Sequence, residues 1–296
     1  MSKILITTSS FGKSDQEPLE KLKKSGFEII LNPYGRKVTT QELKELLPGV
    51  VGMIAGTEKI DKETLKNSNL KVISRVGVGM DSIDLEAAKE LDIVVKNTPD
   101  APTVAVAELT LGGILSLLRQ IPQMNQEVHQ KTWNSKTGIQ LSGKTVMIVG
   151  FGRIGRSLAK LLEPFKVKLV AVDSTLPGIS LREWLPEADI ICLHVSGSRQ
   201  ILGKEEFSLM KKGVFILNAA RGGVINETDL IEALGDGKVA GAWLDVFSEE
   251  PYSGPLIEFS QVIMTPHVGS NTKESRAQME KEAVDNLLSV LCPILK

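Results

Sequence analysis

Between residues 3 and 97 short apolar runs alternate with polar stretches: Ile4 to Ile6, Phe27 to Leu31, Val50 to Ala55, Leu70 to Ser74 and Ile93 to Val95. Runs this short, without clean period-two alternation, fit strands covered on both faces. The stretches between them carry helix signals, such as Thr39 and Glu42 at capping-box spacing and the segment Asp84 to Lys89. The pattern predicts a parallel sheet with covering helices.

Pro99 and Pro102 then punctuate the chain, and Val104 to Leu118, with Glu108 near its start, reads as a long, largely apolar helix. A polar segment, Gln120 to Gly143, follows it and holds Trp133, which reads either as an interface anchor or as a packing residue. The second half has its own strand-like runs: Thr145 to Val149, Leu169 to Val172, Ile190 to Leu193, Val214 to Leu217, Val239 to Leu244 and Val262 to Met264. A helix-periodic tail, Thr272 to Leu291, is expected to return to the first sheet. The expected fold is α/β with two doubly wound parallel-sheet domains. A Rossmann-type domain at 99–269 is inserted in a flavodoxin-like substrate domain made of 1–98 plus 270–296.

Composition narrows the function. The 296 residues are 42% hydrophobic and 24% charged with a net charge of -1, which describes a globular chain and argues against a polyanion-binding surface. No nucleic-acid partner is expected. No apolar run approaches the roughly 18 residues of a membrane span, and the polar start resembles no signal sequence, so a cytoplasmic protein without membrane contact is expected. Cys192 sits in an apolar run and Cys292 near the C-terminus; both read as incidental thiols, and no metal site is expected.

The turn Gly150-Phe-Gly-Arg-Ile-Gly155 lies where a strand-like run meets a helical one. In that setting Gly150 permits a tight turn, Gly152 lets backbone approach a pyrophosphate and Gly155 lets helix and strand pack closely, with Arg153 and Ile154 opening the helix. The phosphates would meet the free N–H groups of the helix start. Asp173 ends the next run, about 20 residues on, where a carboxylate can accept from the adenosine ribose and would repel a 2′-phosphate. The cofactor expected is therefore NAD rather than NADP.

Polar residues recur at or just past the run ends: Gly150, Asp173, His194, Arg221, Asp245 and His267. In an open parallel sheet those ends line the ligand crevice. Arg221 has the planar fork that holds a carboxylate, or else forms a structural ion pair. His267 is the best proton-exchange candidate, and Glu250 could orient it. Of the other two histidines, His129 is expected to face solvent and His194 to be a satisfied core or rim residue. The turn Arg75-Val-Gly-Val-Gly79 either binds an anion through its backbone or serves turn geometry alone.

With Asn218-Ala-Ala-Arg-Gly-Gly223, Leu244-Asp-Val-Phe247, Glu250-Pro251 and Pro266-His-Val-Gly269, the glycine turn resembles the D-isomer-specific 2-hydroxyacid dehydrogenases. Arg75 to Asp81, Asn97 to Pro99 and Ala107 to Thr110 are similar to that family too, most of all to its phosphoglycerate dehydrogenases in a short form without a regulatory domain. The resemblance implies Arg221, Glu250 and His267 as catalytic residues, with Asp245 near the nicotinamide. It adds Val195, Ala219, Ala220 and Gly269 to the cofactor contacts, and places the substrate on Arg75, Val76, Gly77 and Val78. It implies a homodimer built through roughly 101–143. The implied reaction interconverts 3-phospho-D-glycerate and 3-phosphohydroxypyruvate, a step of serine biosynthesis. Two alternatives are reduction of glyoxylate, hydroxypyruvate or another 2-oxo acid, and an NAD-sensing, corepressor-like interaction protein. Two departures bear on this. His194-Val-Ser-Gly-Ser198 lacks the family's frequent Pro-Leu-Thr stretch, and Ile54-Ala-Gly-Thr57 lacks an arginine for a substrate phosphate, leaving Lys59 or Arg75 for that task.

Overall fold

A computed structural model of the chain describes residues 2–176 and 178–292. Its contacts fall into two compact units, Met1–Pro102 with Ser270–Lys296, and Thr103–Gly269. The first crossing lies a few residues beyond the proline-based expectation at 98/99, because Thr103 begins a helix that belongs wholly to the second unit.

In the first unit, parallel strands β1 (Lys3–Ile6), β2 (Glu28–Leu31), β3 (Val50–Ala55), β4 (Val72–Arg75) and β5 (Val94–Lys96) form one sheet in the order β2-β1-β3-β4-β5. Neighbouring residues of a strand enter different cores, which is why the runs read as continuously apolar. Ile4 and Ile6 pack with Leu19 and Leu22 of α1 (Glu17–Lys23) and with Met279, Ala283 and Leu287 of α11 (Lys273–Leu291). Leu5 joins the opposite core, with Leu43 of α2 (Thr40–Leu46), Leu65 of α3 (Lys62–Lys66) and Ala87 of α4 (Leu85–Glu90). The expected capping box starts α2: Glu42 N–H donates to the Thr39 hydroxyl at 3.3 Å and Thr39 N–H to the Glu42 carboxylate at 2.9 Å.

In the second unit, β6 (Thr145–Val149), β7 (Lys168–Val172), β8 (Ile190–Leu193), β9 (Val214–Asn218), β10 (Val239–Leu244) and β11 (Val262–Met264) form a parallel sheet in the order β7-β6-β8-β9-β10-β11. One face is covered by α5 (Thr103–Arg119) and α7 (Arg153–Leu162), through Ile114, Leu117, Leu158 and Leu162. The other is covered by Leu181 and Trp184 of α8 (Leu181–Trp184), Phe207 of α9 (Lys204–Leu209) and Leu230 of α10 (Glu227–Gly235). Counted within this unit the order is 2-1-3-4-5-6, so the third strand lies beside the first instead of beyond the second. In both sheets the order therefore reverses at the first strand, at β1/β3 and at β6/β8, and that is where open α/β sheets form their ligand crevice.

Helix α6 (Ile121–His129) falls in the segment read from sequence as merely polar. None of its residues is buried: Ile121, Met124 and Val128 recur at i, i+3 and i+7 but reach no core. Gln120, at φ +50°, separates it from α5. Among the described residues no single helix is long and apolar enough to cross a membrane; α5 and α6 together pass by length and composition but are bent by 65°.

Trp243 of β10 lies against α5, where a Cβ added at Gly113 would stand 2.7 Å from the indole. The pair sets how closely this helix approaches its sheet. Gly113→Val is expected to overpack the contact at a cost of about 1–3 kcal/mol. Urea unfolding followed by tryptophan fluorescence measures it, because Trp133, Trp184 and Trp243 all belong to the second unit.

Candidate active site

The glycine turn leaves β6 at the β6/β8 reversal. Gly150 has φ +94°, and a Cβ there would lie 2.5 Å from the His194 carbonyl oxygen, so this position admits only glycine. A Cβ at Gly155 would strike the Gly150 carbonyl oxygen. Gly152 differs from both: it caps α7 without a side-chain hydrogen bond, and nothing lies within 4 Å of where its Cβ would be. An uncapped helix start beneath open space suits a pyrophosphate.

Asp173, just past β7, is tied to this turn. Its Oδ2 accepts from Phe151 N–H at 2.7 Å, and its Oδ1 from the backbone N–H and hydroxyl of Thr175 at 2.9 and 2.7 Å. The Thr175 N–H, then its hydroxyl, then the Phe151 N–H hold the carboxyl below the usual aspartate range. These bonds leave an acceptor direction on Oδ2 for a ligand hydroxyl. The residues thus fit an NAD adenosine and pyrophosphate.

At the far end of the sheet, a network of short bonds arranges the remaining strand ends. Asn218, buried at the end of β9, accepts from Ala220 N–H at 3.0 Å and donates to the Arg221 carbonyl at 2.9 Å, which fixes the loop carrying Arg221. The Arg221 guanidinium donates to the Ala220 carbonyl at 2.7 Å. Asp245, past the end of β10, is 2% exposed and accepts three bonds from the loop after β11. They come from the Thr265 hydroxyl (2.6 Å), Val268 N–H (2.9 Å) and Gly269 N–H (2.8 Å).

His267 stands inside the loop that Asp245 holds. Its N–H donates to the Thr265 carbonyl at 2.9 Å, closing a tight turn across Pro266, and its φ of +53° is unusual for a non-glycine residue. Its Nδ1 lies 2.9 Å from Glu250 Oε2, while Glu250 Oε1 accepts from Phe247 N–H at 3.1 Å. Both side chains of the pair remain partly exposed. The carboxylate accordingly favours the tautomer with hydrogen on Nδ1, leaving Nε2 for proton exchange.

The structure modifies several sequence expectations. Ala220 is buried and both its backbone groups are hydrogen-bonded, and both oxygens of Asp245 accept from the loop that carries His267. Val195 and Ala219 are partly buried against the two cores. In the first unit Val76 N–H donates to the Ala55 carbonyl (2.9 Å) and Gly77 N–H to the Thr98 hydroxyl (2.8 Å). These two N–H groups are therefore engaged within the protein, and Arg75 folds back to donate to the Val76 carbonyl. His129 is exposed as expected, Cys192 is buried with its thiol pushed up by burial, and no cluster of potential metal ligands occurs among the described residues. Asn218 and Asp245 carry the positioning; run-end position pointed to Asp245, but nothing in the sequence marked its bonds.

Residues 111–269 match the family described as "D-isomer specific 2-hydroxyacid dehydrogenase, NAD binding domain". The chain belongs to this family. It is 39% identical over 273 residues to a D-3-phosphoglycerate dehydrogenase of Methanocaldococcus jannaschii, covering 86% of this chain and 52% of that protein. It is 35% identical over 293 residues to a hydroxypyruvate reductase of Thermotoga maritima, covering 91% and 96%. The crystal structure of the TT0316 protein from Thermus thermophilus superposes with a TM-score of 0.89 at 35% identity, over 98% of this chain and 96% of that one. The chain spans about half the length of the archaeal phosphoglycerate dehydrogenases it matches.

His194 departs furthest from its expectation. Both ring nitrogens are sealed from solvent without a hydrogen-bond partner among the described residues, and burial lowers the imidazole pKa to about 4. An imidazole that titrates near 6.5 in the unfolded chain and near 4 in the fold contributes fully to stability above pH 6.5. That contribution is lost as pH falls toward 4. Between those limits unfolding free energy is expected to drop by about 3 kcal/mol. Urea titrations at pH 7 and pH 4.5 measure the drop, which His194→Gln is expected to reduce.

Proposed function

We propose that the chain is an NAD-dependent oxidoreductase that interconverts a D-2-hydroxy acid and its 2-oxo acid. The observation that carries this reading is the Glu250–His267 pair, 2.9 Å apart, on the same sheet edge as a glycine turn fit for a dinucleotide. Bound NAD would supply the hydride acceptor, and its reduced form the donor. Gly150, Gly152, Gly155 and the first turn of α7 would hold the pyrophosphate, and Asp173 the ribose. Arg221 would orient the substrate carboxylate and favour negative charge on the C2 oxygen. His267 would give that oxygen its proton from Nε2 in reduction and remove it in oxidation. Glu250 would keep the ring aimed and stabilise the imidazolium.

Two substrate classes are compatible with the names the relatives carry: phosphorylated 3-phosphoglycerate, and unphosphorylated acids such as hydroxypyruvate or glyoxylate. We also propose a homodimer formed through the segment after α5. Ile121 and Val128 of α6 are exposed, and Trp133 is 88% exposed, which supports an interface role for that side chain.

His267→Asn removes the titrating ring with a residue that tolerates left-handed backbone. It is expected to lower turnover about 10²–10⁴-fold, with NADH affinity by fluorescence titration within a few fold of the parent. Turnover equal to the parent would overturn the assignment. Trp133→Glu is expected to shift the species seen by light scattering from dimer to monomer, and an unchanged mass would reject the proposed interface.

A further inference from the structure

The loop that carries Glu250 is held by a second acid, to which the proposed reaction gives no part. The stretch from Phe247 to Glu250 belongs to no helix or strand, and it is exposed from Ser248 onward. Such a segment has few means of keeping a side chain at hydrogen-bonding distance from its partner. Two of its N–H groups are bonded, each to a carboxylate. Phe247 N–H donates to Glu250 Oε1 at 3.1 Å, a bond inside the loop itself. Ser248 N–H donates to Glu227 Oε1 at 2.8 Å, and Glu227 lies outside the loop, at the first position of α10.

Glu227 is anchored independently of that loop. It follows Asn226, whose N–H donates to the Leu202 carbonyl at 2.8 Å and whose side chain caps α10 by accepting from Asp229 N–H at 3.2 Å. A second contact presses the same two segments together. A Cβ at Gly222 would fall on the Phe247 carbonyl group and the Ser248 nitrogen, so this position admits only glycine. Gly222 directly follows Arg221. Arg221, Gly222 and Glu227 thus belong to one short stretch, which meets the Glu250 loop twice, by close backbone packing and by a charge-assisted hydrogen bond. The helix dipole explains an acid in the first turn of α10. It leaves unexplained a carboxylate turned onto the backbone of another loop.

We propose that Glu227 is a positioning residue: by accepting from Ser248 N–H it fixes the loop that presents Glu250 to His267 and keeps that pair in register with Arg221. The inference rests on the proposed oxidoreductase reading, in which Glu250 aims the His267 ring and Arg221 orients the substrate. With Ser248 released, Phe247 N–H and Glu250 would shift together, and Nδ1 of His267 would lose the carboxylate that selects its tautomer. A displacement of about 1 Å at such a point costs up to about 10²-fold in rate.

Two substitutions separate this role from that of a plain helix-start charge. Glu227→Gln keeps the length and an acceptor oxygen but not the charge, whereas Glu227→Asp keeps the charge and draws the acceptor back by one methylene. Turnover is followed by NADH consumption with the best of hydroxypyruvate, glyoxylate and 3-phosphohydroxypyruvate. Glu227→Gln is expected to stay within about threefold of the parent kcat and Glu227→Asp to lose roughly tenfold or more, with NADH affinity unchanged in both. A helix-dipole role predicts the reverse order. The second readout needs no turnover: the ring ¹⁵N shifts of neutral His267 report its tautomer, and His267→Asn identifies those signals among the three histidines by their loss. The parent and Glu227→Gln are expected to show the Nδ1–H form, and Glu227→Asp a shift toward the Nε2–H form. The proposal is overturned if Glu227→Asp shows the parent's tautomer, or if Glu227→Gln departs from the parent as far as Glu227→Asp does. If the parent reduces none of these acids, the oxidoreductase reading fails, while the tautomers still decide what Glu227 does to His267.

Discussion

The buried carboxylate of Asp245 is the tie on which the arrangement of the second sheet's edge depends. Three donors from one short loop converge on it, so the β11 end cannot move relative to the β10 end without stranding charge or N–H groups. The β10 end is joined in turn to the β9 end, where Asp245 N–H donates to the Asn218 carbonyl at 3.0 Å. A left-handed histidine persists only where its surroundings over-determine it, and this bracket provides that determination. The conformational cost at His267 and the burial of Asp245 are two parts of one device.

The glycine turn works by the opposite principle. Its outer glycines are needed because backbone atoms stand where side chains would be, whereas at Gly152 the backbone faces open space. Asp173 joins the two ideas: it locks the turn through Phe151 N–H and keeps an acceptor for a ligand. At both ends of the sheet edge a carboxylate organises backbone, and the residues that would touch ligand are held by it.

Much of this was legible in the chain. The apolar runs mark every strand, because parallel strands covered on both faces need no polar alternation, and the residues at their ends include His267, Arg221 and Asp173. What was not legible depends on adjacency in space. Nothing near Val76 or Gly77 announces that Ala55 and Thr98 take their N–H groups. Nothing near His194 announces that its ring is sealed off, and a histidine at a strand end reads as satisfied until its neighbours are known. Helix α6 escaped notice because its few apolar residues, Ile121, Met124 and Val128, stand in an otherwise polar segment and bury no face.

The first unit is assembled from two segments of the chain with the second unit between them. The face of its sheet formed by Ile4, Ile6, Ile54 and Val72 is covered by Met279, Ala283, Val284 and Leu287 of the last helix. During synthesis those strands are made before the inserted unit, and the helix that covers them only after it. The inserted unit, whose residues are contiguous, can reach its own fold in the meantime. The order of synthesis thus separates this face from its cover by the whole of the inserted unit.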